Sequence, residues 1–416
     1  MRRAIYLVVP AVIVLFGVAP ASAATFTYTE GQTVALGFNQ LPSSYDVYWF
    51  SDLDGYLMSG NPLRTSSLSV GTHQVTYLIY RRSTQTLVYR GAVTVVIEAA
   101  IPSSGTTGSG GTPTSSGSYA PGEFEPVREL LLGTPDAYSV DDLYPAILDA
   151  IRGVAPTTIY VDNSYVRYDL EDIFVQAGVD DADYSYVTLP LDSIWMRDYG
   201  PLFTKKNGRL EIVDLKYYPG RPYDDAVPSR IGQQRGIGVR RVGLYWEGGN
   251  YTSDGSGNIF ATTVLYDGNS GSASQIDSTA GAAFYARLNV FEPMANDGGT
   301  GHLDMFALLT GSRSLVLNRF PSGHANARLM DSHASRFENL GFQVTRIDLA
   351  DRGFSSYTNG LIVNGVALVP WYGKSSTDNS ALAAFRAAGY RAVGIDCRRI
   401  IQWGGAIHCI TITVPR

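Results

Sequence analysis

Hydrophobic positions recur with two different periods along this chain, and a polar, low-complexity stretch separates the two regimes. Between residues 24 and 100 the period is two, as in Gln74-Val75-Thr76-Tyr77-Leu78-Ile79-Tyr80 and Ala92-Val93-Thr94-Val95-Val96-Ile97. Side chains of a strand point alternately to its two faces, so short alternating runs between turn signals predict a small all-β sandwich. From 119 to 416 strand-like runs alternate with helical spacing. Val140, Leu143, Tyr144, Ile147, Leu148 and Ile151 predict a helix behind a Ser139 cap, and 157–161 follows as a strand. Further strands are expected at 186–189, 210–215, 314–318, 343–347 and 392–395, and helices at 273–288, 324–340 and 379–388. Asn364-Gly365, set between two apolar runs, predicts a two-residue hairpin because both residues tolerate positive φ. This alternation defines an α/β class with one large domain at 119–416.

Residues 101–118 are dominated by Gly, Ser, Thr and Pro, which bury too little apolar surface to offset the entropy of ordering them. A flexible linker between the two domains is expected. Residues 1–23 read as an export leader, with Arg2-Arg3, an apolar run from Ala4 to Val18 and the small-residue site Ala21-Ser22-Ala23. That run is shorter than the roughly 20 apolar residues of a membrane span, and Pro10 interrupts it. The expectation is a secreted, periplasmic or cell-surface protein whose β domain spaces the larger one or contacts a surface or polymer.

The formal charge of −6 becomes −8 once Arg2 and Arg3 are removed, with no basic cluster downstream. Nucleic acid is thereby disfavoured as a partner, and a cationic ligand is compatible. Only Cys397 and Cys409 are present, so a disulfide framework is excluded and at most one bridge is open. A Cys397–Cys409 bridge would accompany a different reading, a non-catalytic binding or adhesive protein.

Candidate chemistry gathers around Cys409, which follows a Gly404-Gly405 turn. Gly301-His302-Leu303-Asp304 supplies an acid/base beside a carboxylate, and Trp195-Met196-Arg197-Asp198 a second carboxylate beside an aromatic wall. A guanidinium is flat, always charged and matched to carboxylates through paired N–H donors. Asp198 and Asp304 could grip one from different loops while Trp195 covers its face. His302 and Asp304 are two apart, so an extended segment would point both into one pocket. An imidazole there suits protonation of a leaving amine and later deprotonation of water. Zinc is disfavoured because no second His or Cys stands at ligand spacing. Alternation sets His408 on the face opposite the thiol, which argues against its being the base. A thiol near pKa 8.5 needs an electropositive neighbour to ionise, and a bound guanidinium would provide one. Plainer roles exist for single residues: Asp198 could pair with Arg197 or cap a turn, Asp254-Gly255 reads as a hairpin turn, and Glu247 could line the pocket or cap amides. The glycine-rich 248–257 stretch lacks the Lys-Ser/Thr of a phosphate loop.

Taken in order, Trp195-Met196-Arg197-Asp198-Tyr199-Gly200-Pro201, Glu247-Gly248-Gly249-Asn250, Gly301-His302-Leu303-Asp304, Tyr357-Thr358-Asn359 and Gly404-Gly405-Ala406-Ile407-His408-Cys409 resemble the bacterial agmatine deiminase and peptidylarginine deiminase family. The resemblance implies a five-bladed α/β propeller, or pentein, and a chemistry without metal or organic cofactor. By the same likeness Cys409 is the nucleophile, His302 the acid/base, Asp198 and Asp304 the guanidinium clamps, Trp195 a pocket wall and Asn359 a positioning residue. The 24–100 segment similarly resembles the immunoglobulin-like modules of exported bacterial proteins. Members that prefer C-terminal arginine carry an Asn-Arg-Pro-Arg segment after a Val-Asp strand. Here Val213-Asp214-Leu215-Lys216-Tyr217-Tyr218-Pro219-Gly220-Arg221-Pro222 retains only Arg221 of the arginine pair. Export favours peptidyl-arginine or an arginine-like substrate, with agmatine as the alternative. An amide-cleaving cysteine hydrolase fits less well, because two carboxylates would repel its oxyanion. Amidino transfer to an amine remains close chemistry.

Overall fold

The computed structural model describes residues 25–98, apart from 30–33, 39–40, 43, 54, 60, 66–67, 69 and 83–85, and residues 117–416 apart from 351–353. The expected leader and residues 101–116 of the expected linker lie outside the described residues. The chain divides into two compact units, 1–111 and 112–416. Among the described residues no helix is long and apolar enough to cross a membrane.

In the first unit, strands Thr25–Thr29, Thr86–Glu98, Gly71–Arg81, Tyr45–Ser51 and Gly55–Ser59 form one sheet in that order. Val34–Leu36 pairs antiparallel with Leu63–Thr65 in a second. The period-two segments at 74–80 and 92–97 are neighbours in the larger sheet, paired antiparallel. Their inward residues Val75, Val93 and Val95 join Val34, Leu36, Val47, Trp49 and Leu63 in one buried cluster.

In the second unit one pattern recurs five times: a hairpin of two antiparallel strands, a helical crossover, and a third strand parallel to the second. Leu202–Lys206, Arg209–Lys216 and Gly238–Tyr245 form the first such sheet, with Val227–Arg235 in the crossover. Thr252–Ser253, Asn258–Thr262 and Arg287–Phe291 form the next, around Ala273–Phe284. Ala307–Gly311, Ser314–Arg319 and Gln343–Asp348 follow, around Ala327–Asn339. Leu361–Val363, Val366–Trp371 and Arg391–Asp396 form the fourth, around Ser375–Ala387. The fifth is assembled from both ends of the unit. The C-terminal strand Thr411–Pro415 pairs antiparallel with Val127–Thr134, which runs parallel to Thr157–Val161 across helix Leu143–Ala150, and Tyr184–Thr188 extends the sheet.

Burial explains why the strand periods are hard to read here. Every residue of Thr157–Val161, Leu361–Val363 and nearly all of Val366–Trp371 is buried, as expected of strands covered on both faces. The Asn364-Gly365 hairpin forms with φ of 44° and 84°, the left-handed pair its turn type requires. Asp254-Gly255 is likewise a hairpin turn, with buried Asp254 accepting from the Ser256 and Asn258 amides.

Two local expectations are corrected. Ser139 is not a helix cap: it ends a short 3-10 turn and donates to Asp136, while the helix starts at Leu143 after Asp142. The 273–288 helix ends at Phe284, where Tyr285 turns left-handed at φ 54°, and Arg287 already begins a strand. An apolar run spanning a helix end and a buried strand start has no single period to follow.

Candidate active site

Each of the five repeats is entered through a short turn just before its first hairpin strand, and the chemically distinctive residues sit on these turns. Trp195 precedes the one-turn helix Met196–Tyr199, ahead of strand Leu202–Lys206. Glu247 precedes the 3-10 turn Gly248–Asn250, and His302 the 3-10 turn Leu303–Met305. Asn359 lies two residues before Leu361–Val363, and Cys409 lies in the 3-10 turn His408–Ile410 that leads into Thr411–Pro415. Equivalent positions in successive repeats thus deliver their side chains to one place.

That place is defined by what surrounds Gly249. A methyl group built on Gly249 would lie 2.5 Å from His302 Nδ1, 2.7 Å from Asp198 Oδ1 and 3.1 Å from Asp304 Oδ2. The Gly249 amide donates to Asp198 Oδ1 at 3.1 Å. His302 Nε2 is 3.0 Å from Glu247 Oε2, and its Nδ1 is 3.6 Å from Asp198 Oδ1. Asp304 Oδ2 is 3.7 Å from Cys409 Sγ. Asn359 donates from Nδ2 to the same sulfur at 3.1 Å and accepts the Ala406 amide at 2.8 Å, so it holds both the thiol and the chain that carries it. Trp195 closes the cluster beside the thiol: a methyl group on Gly405 would meet Cys409 Sγ at 2.6 Å and the Trp195 ring at 2.9 Å.

Glu247 therefore lines the pocket; its side chain caps no helix amide. Asp198 is not paired with Arg197, whose guanidinium binds Glu123. His302 and Asp304 do share the site, although not by strand alternation: His302 is extended and caps a 3-10 turn that contains Asp304. Arg221 stands farther out, donating to the Tyr217 hydroxyl at 2.9 Å with its guanidinium over the Tyr218 ring. Tyr217 and Tyr218 line a cavity of about 320 Å³ together with Trp246, Val264, Glu247 and His302. It approaches the cluster from the His302 side. Cys397 and Cys409 are both free and buried, which removes the bridged reading. Cys397 packs in the apolar core of the second unit.

Three residues that sequence reasoning passed over complete the cluster. His408 does not face away from the site: Nδ1 meets Asp304 Oδ2 at 2.8 Å and Nε2 meets Glu123 Oε2 at 2.9 Å. The alternation argument failed because residues 408–410 form a 3-10 turn where a strand was expected. Arg197 binds Glu123 and also donates from Nε to the His408 carbonyl at 3.3 Å. An acidic residue and a basic one at sites of no periodic pattern carried no signal of their own.

Burial and the neighbouring charges shift the protonation equilibria in this enclosed space. Burial opposes a charge on His302, but Asp198, Glu247 and Asp304 outweigh it and raise the imidazole from 6.5 to about 10. Burial raises Asp198 to about 7 in spite of His302. Burial also pushes Glu247 up, and the hydrogen bond and charge of His302 more than reverse this. The Cys409 thiol is driven well above its ordinary range, first by burial and then by Asp304 and Asp198, against the Asn359 hydrogen bond. Without a further cation the sulfur is a neutral thiol. Ligand atoms of Asp198, Glu247 and His302 lie within 4.8 Å of one another, a spacing a divalent ion could share. The imidazolium of His302 meets the same demand for positive charge.

Two carboxylates able to grip a flat cation, beside a thiol and an imidazolium, suit a hydrolase acting on C–N bonds of linear amidines. Sequence comparison agrees. The model of the Porphyromonas-type peptidyl-arginine deiminases matches residues 119–415, and the chain belongs to that family. It is 26% identical over 365 residues to the agmatine deiminase of Ectopseudomonas mendocina, covering 73% of this chain and 97% of the relative. The fold matches that of C. jejuni agmatine deiminase with a TM-score of 0.64 at 17% identity, covering 72% of this chain and 96% of that one. Agmatine deiminase of Enterococcus faecalis gives 0.61 at 20% identity, covering 74% and 98%.

Proposed function

We propose that this protein is an exported deiminase of a small guanidino compound, with agmatine as the favoured substrate and an N-carbamoyl amine plus ammonia as products. The observation that carries the reading is the convergence of His302, Asp198 and Asp304 around Gly249, with the Cys409 sulfur 3.7 Å from Asp304 Oδ2. Relatives named agmatine deiminases, aligned over almost their full length, favour agmatine over the peptidyl-arginine preferred from the export signal alone. The single Arg221, where members that prefer C-terminal arginine carry a pair, speaks the same way.

In the proposed course Asp198 and Asp304 hold the guanidinium, and Trp195 covers its face. The substrate's charge offsets the two aspartates that keep Cys409 protonated, and the thiol loses its proton to solvent. The thiolate attacks the central carbon and forms a C–S bond. His302, initially an imidazolium, protonates one amino group, which leaves as ammonia and gives a cationic alkylthiouronium. Neutral His302 then takes a proton from water as the water oxygen bonds to that carbon. Collapse breaks the C–S bond and returns the thiolate, and the remaining hydroxyl proton passes to solvent as the ureido product is released.

The five repeated sheets support a closed five-bladed propeller, and the period-two unit supports an immunoglobulin-like module. Residues 1–23 are proposed to direct export and 101–118 to act as the linker. Amino-terminal sequencing of the secreted protein should begin near Ala24. Ammonia release and ureido formation should be measured with agmatine, free arginine and arginine peptides, with Cys409→Ala as the control. Turnover of peptides well above that of agmatine would overturn the substrate choice, and unchanged turnover in the control would overturn the mechanism.

A further inference from the structure

Around Cys409 the structure places four carboxylates, Glu123, Asp198, Glu247 and Asp304, against the side chains of His302, His408 and Arg197. His302 serves the substrate side. His408 meets the thiol's neighbour Asp304 and is itself held by Glu123 and through it by Arg197; none of these three side chains lines the cavity of about 320 Å³. His408 and Arg197 are buried and the Glu123 side chain is only 12% exposed, so their cost in desolvation calls for a reason.

Both ring nitrogens of His408 face carboxylate oxygens, at 2.8 and 2.9 Å. A neutral imidazole has one N–H and one lone pair, so it would set that lone pair against one of the two anions. Only the doubly protonated ring satisfies both. We propose that His408, held as an imidazolium between Asp304 and Glu123, is a positioning and counter-charge residue that fixes Asp304 and lowers the barrier to ionising Cys409. Its Nδ1–H ties up Asp304 Oδ2, the oxygen 3.7 Å from the sulfur, and leaves Oδ1 as a buried acceptor without a partner. That free oxygen remains available to accept a guanidinium N–H. A cation at 2.8 Å from Asp304 also cancels part of the negative field that Asp304 exerts on the sulfur.

The groups facing His408 agree with this role. Burial and the nearby Arg197 both disfavour its charge, yet Glu123 and Asp304 prevail and raise its pKa. Glu123 is itself pushed up by burial but is held down at about 2 by Arg197 and His408, so it remains an anion. Arg197 anchors the assembly by binding Glu123 with its terminal nitrogen and the His408 carbonyl with Nε.

The inference rests on Cys409 as the nucleophile, but its test does not require the substrate to be known. The rate of Cys409 carboxamidomethylation by iodoacetamide should be followed by peptide mass spectrometry between pH 6 and 10. In His408→Asn the rate at pH 8 should fall at least fivefold and the curve should move to higher pH, with kcat for agmatine about 100-fold lower. A merely loosened structure would do the reverse and label faster, so equal or faster labelling in a folded variant overturns the inference. Glu123→Gln, which keeps the shape of the site, should show a smaller shift of the same sign; if His408→Asn does not fold, an unshifted curve in Glu123→Gln overturns it. In the His302→Asn protein, ring-nitrogen NMR at pH 7.5, above the ordinary histidine range, should retain one imidazole protonated on both nitrogens, and the lack of any overturns the inference independently. Failure of every guanidino substrate with the labelling shifts intact would reject the substrate, not this role.

Discussion

Gly249→Ala isolates the geometry of the site from the stability of the fold. Gly249 has no positive φ, so an alanine can take its backbone conformation without left-handed strain. Its methyl group, however, would stand 2.5, 2.7 and 3.1 Å from His302, Asp198 and Asp304, against ordinary contacts of 3.4–4 Å. Each of the first two groups must retreat by on the order of 1 Å to restore normal contact, and a displacement of that size costs about 100-fold in rate. With two reacting or clamping groups moved and part of the guanidinium space filled, kcat/KM should fall by about 100- to 1,000-fold, or roughly 3–4 kcal/mol of transition-state stabilisation. The overpacking itself should cost about 1–3 kcal/mol of stability, leaving a cooperative melt. Steady-state ammonia release, measured beside a thermal melt, tests both halves. A variant that retains activity within threefold would refute the assignment of this space to the reacting guanidinium.

Other outcomes follow from the same geometry. Asn359→Ala removes the donor to Cys409 Sγ and the acceptor for the Ala406 amide; kcat should fall by about 10- to 100-fold, with labelling of the thiol moved to higher pH. In the unliganded wild-type protein, Cys409 alkylation should still be rising at pH 9, because burial and two aspartates lift the thiol; a plateau near pH 7 would contradict this. Glu123 has a carboxyl lowered from 4.5 to about 2 in the folded protein. Its stabilisation is therefore full above 4.5 and is lost as pH falls from there through 2. At pH 7 Glu123→Gln should cost up to about 3 kcal/mol in urea unfolding. The gap to wild type should narrow below pH 4.5, and a constant gap would reject the pairing.

How much was legible in advance depended on whether a residue's role was local. The Asn364-Gly365 hairpin followed from backbone preference alone, and the period-two strands at 74–80 and 92–97 from one-sided burial. The five-fold recurrence of hairpin, crossover and parallel strand was not legible in the periodicity, because strands buried on both faces carry no alternation; only the family resemblance implied five blades. Once that recurrence is seen, the scattered motifs fall on equivalent turns.

From sequence alone came the candidate groups that the fold brings together: Cys409, His302, Asp198 and Asp304 with Trp195, Glu247 and Asn359, each marked by a side chain of distinctive chemistry. Only the tertiary structure decided how they face one another and what stands behind them. Glu123 and His408 are 285 residues apart, and they meet where the last strand, Thr411–Pro415, closes against Val127–Thr134. A contact between chain ends leaves no local pattern, because the positions that create it are set by packing and strand pairing far along the chain.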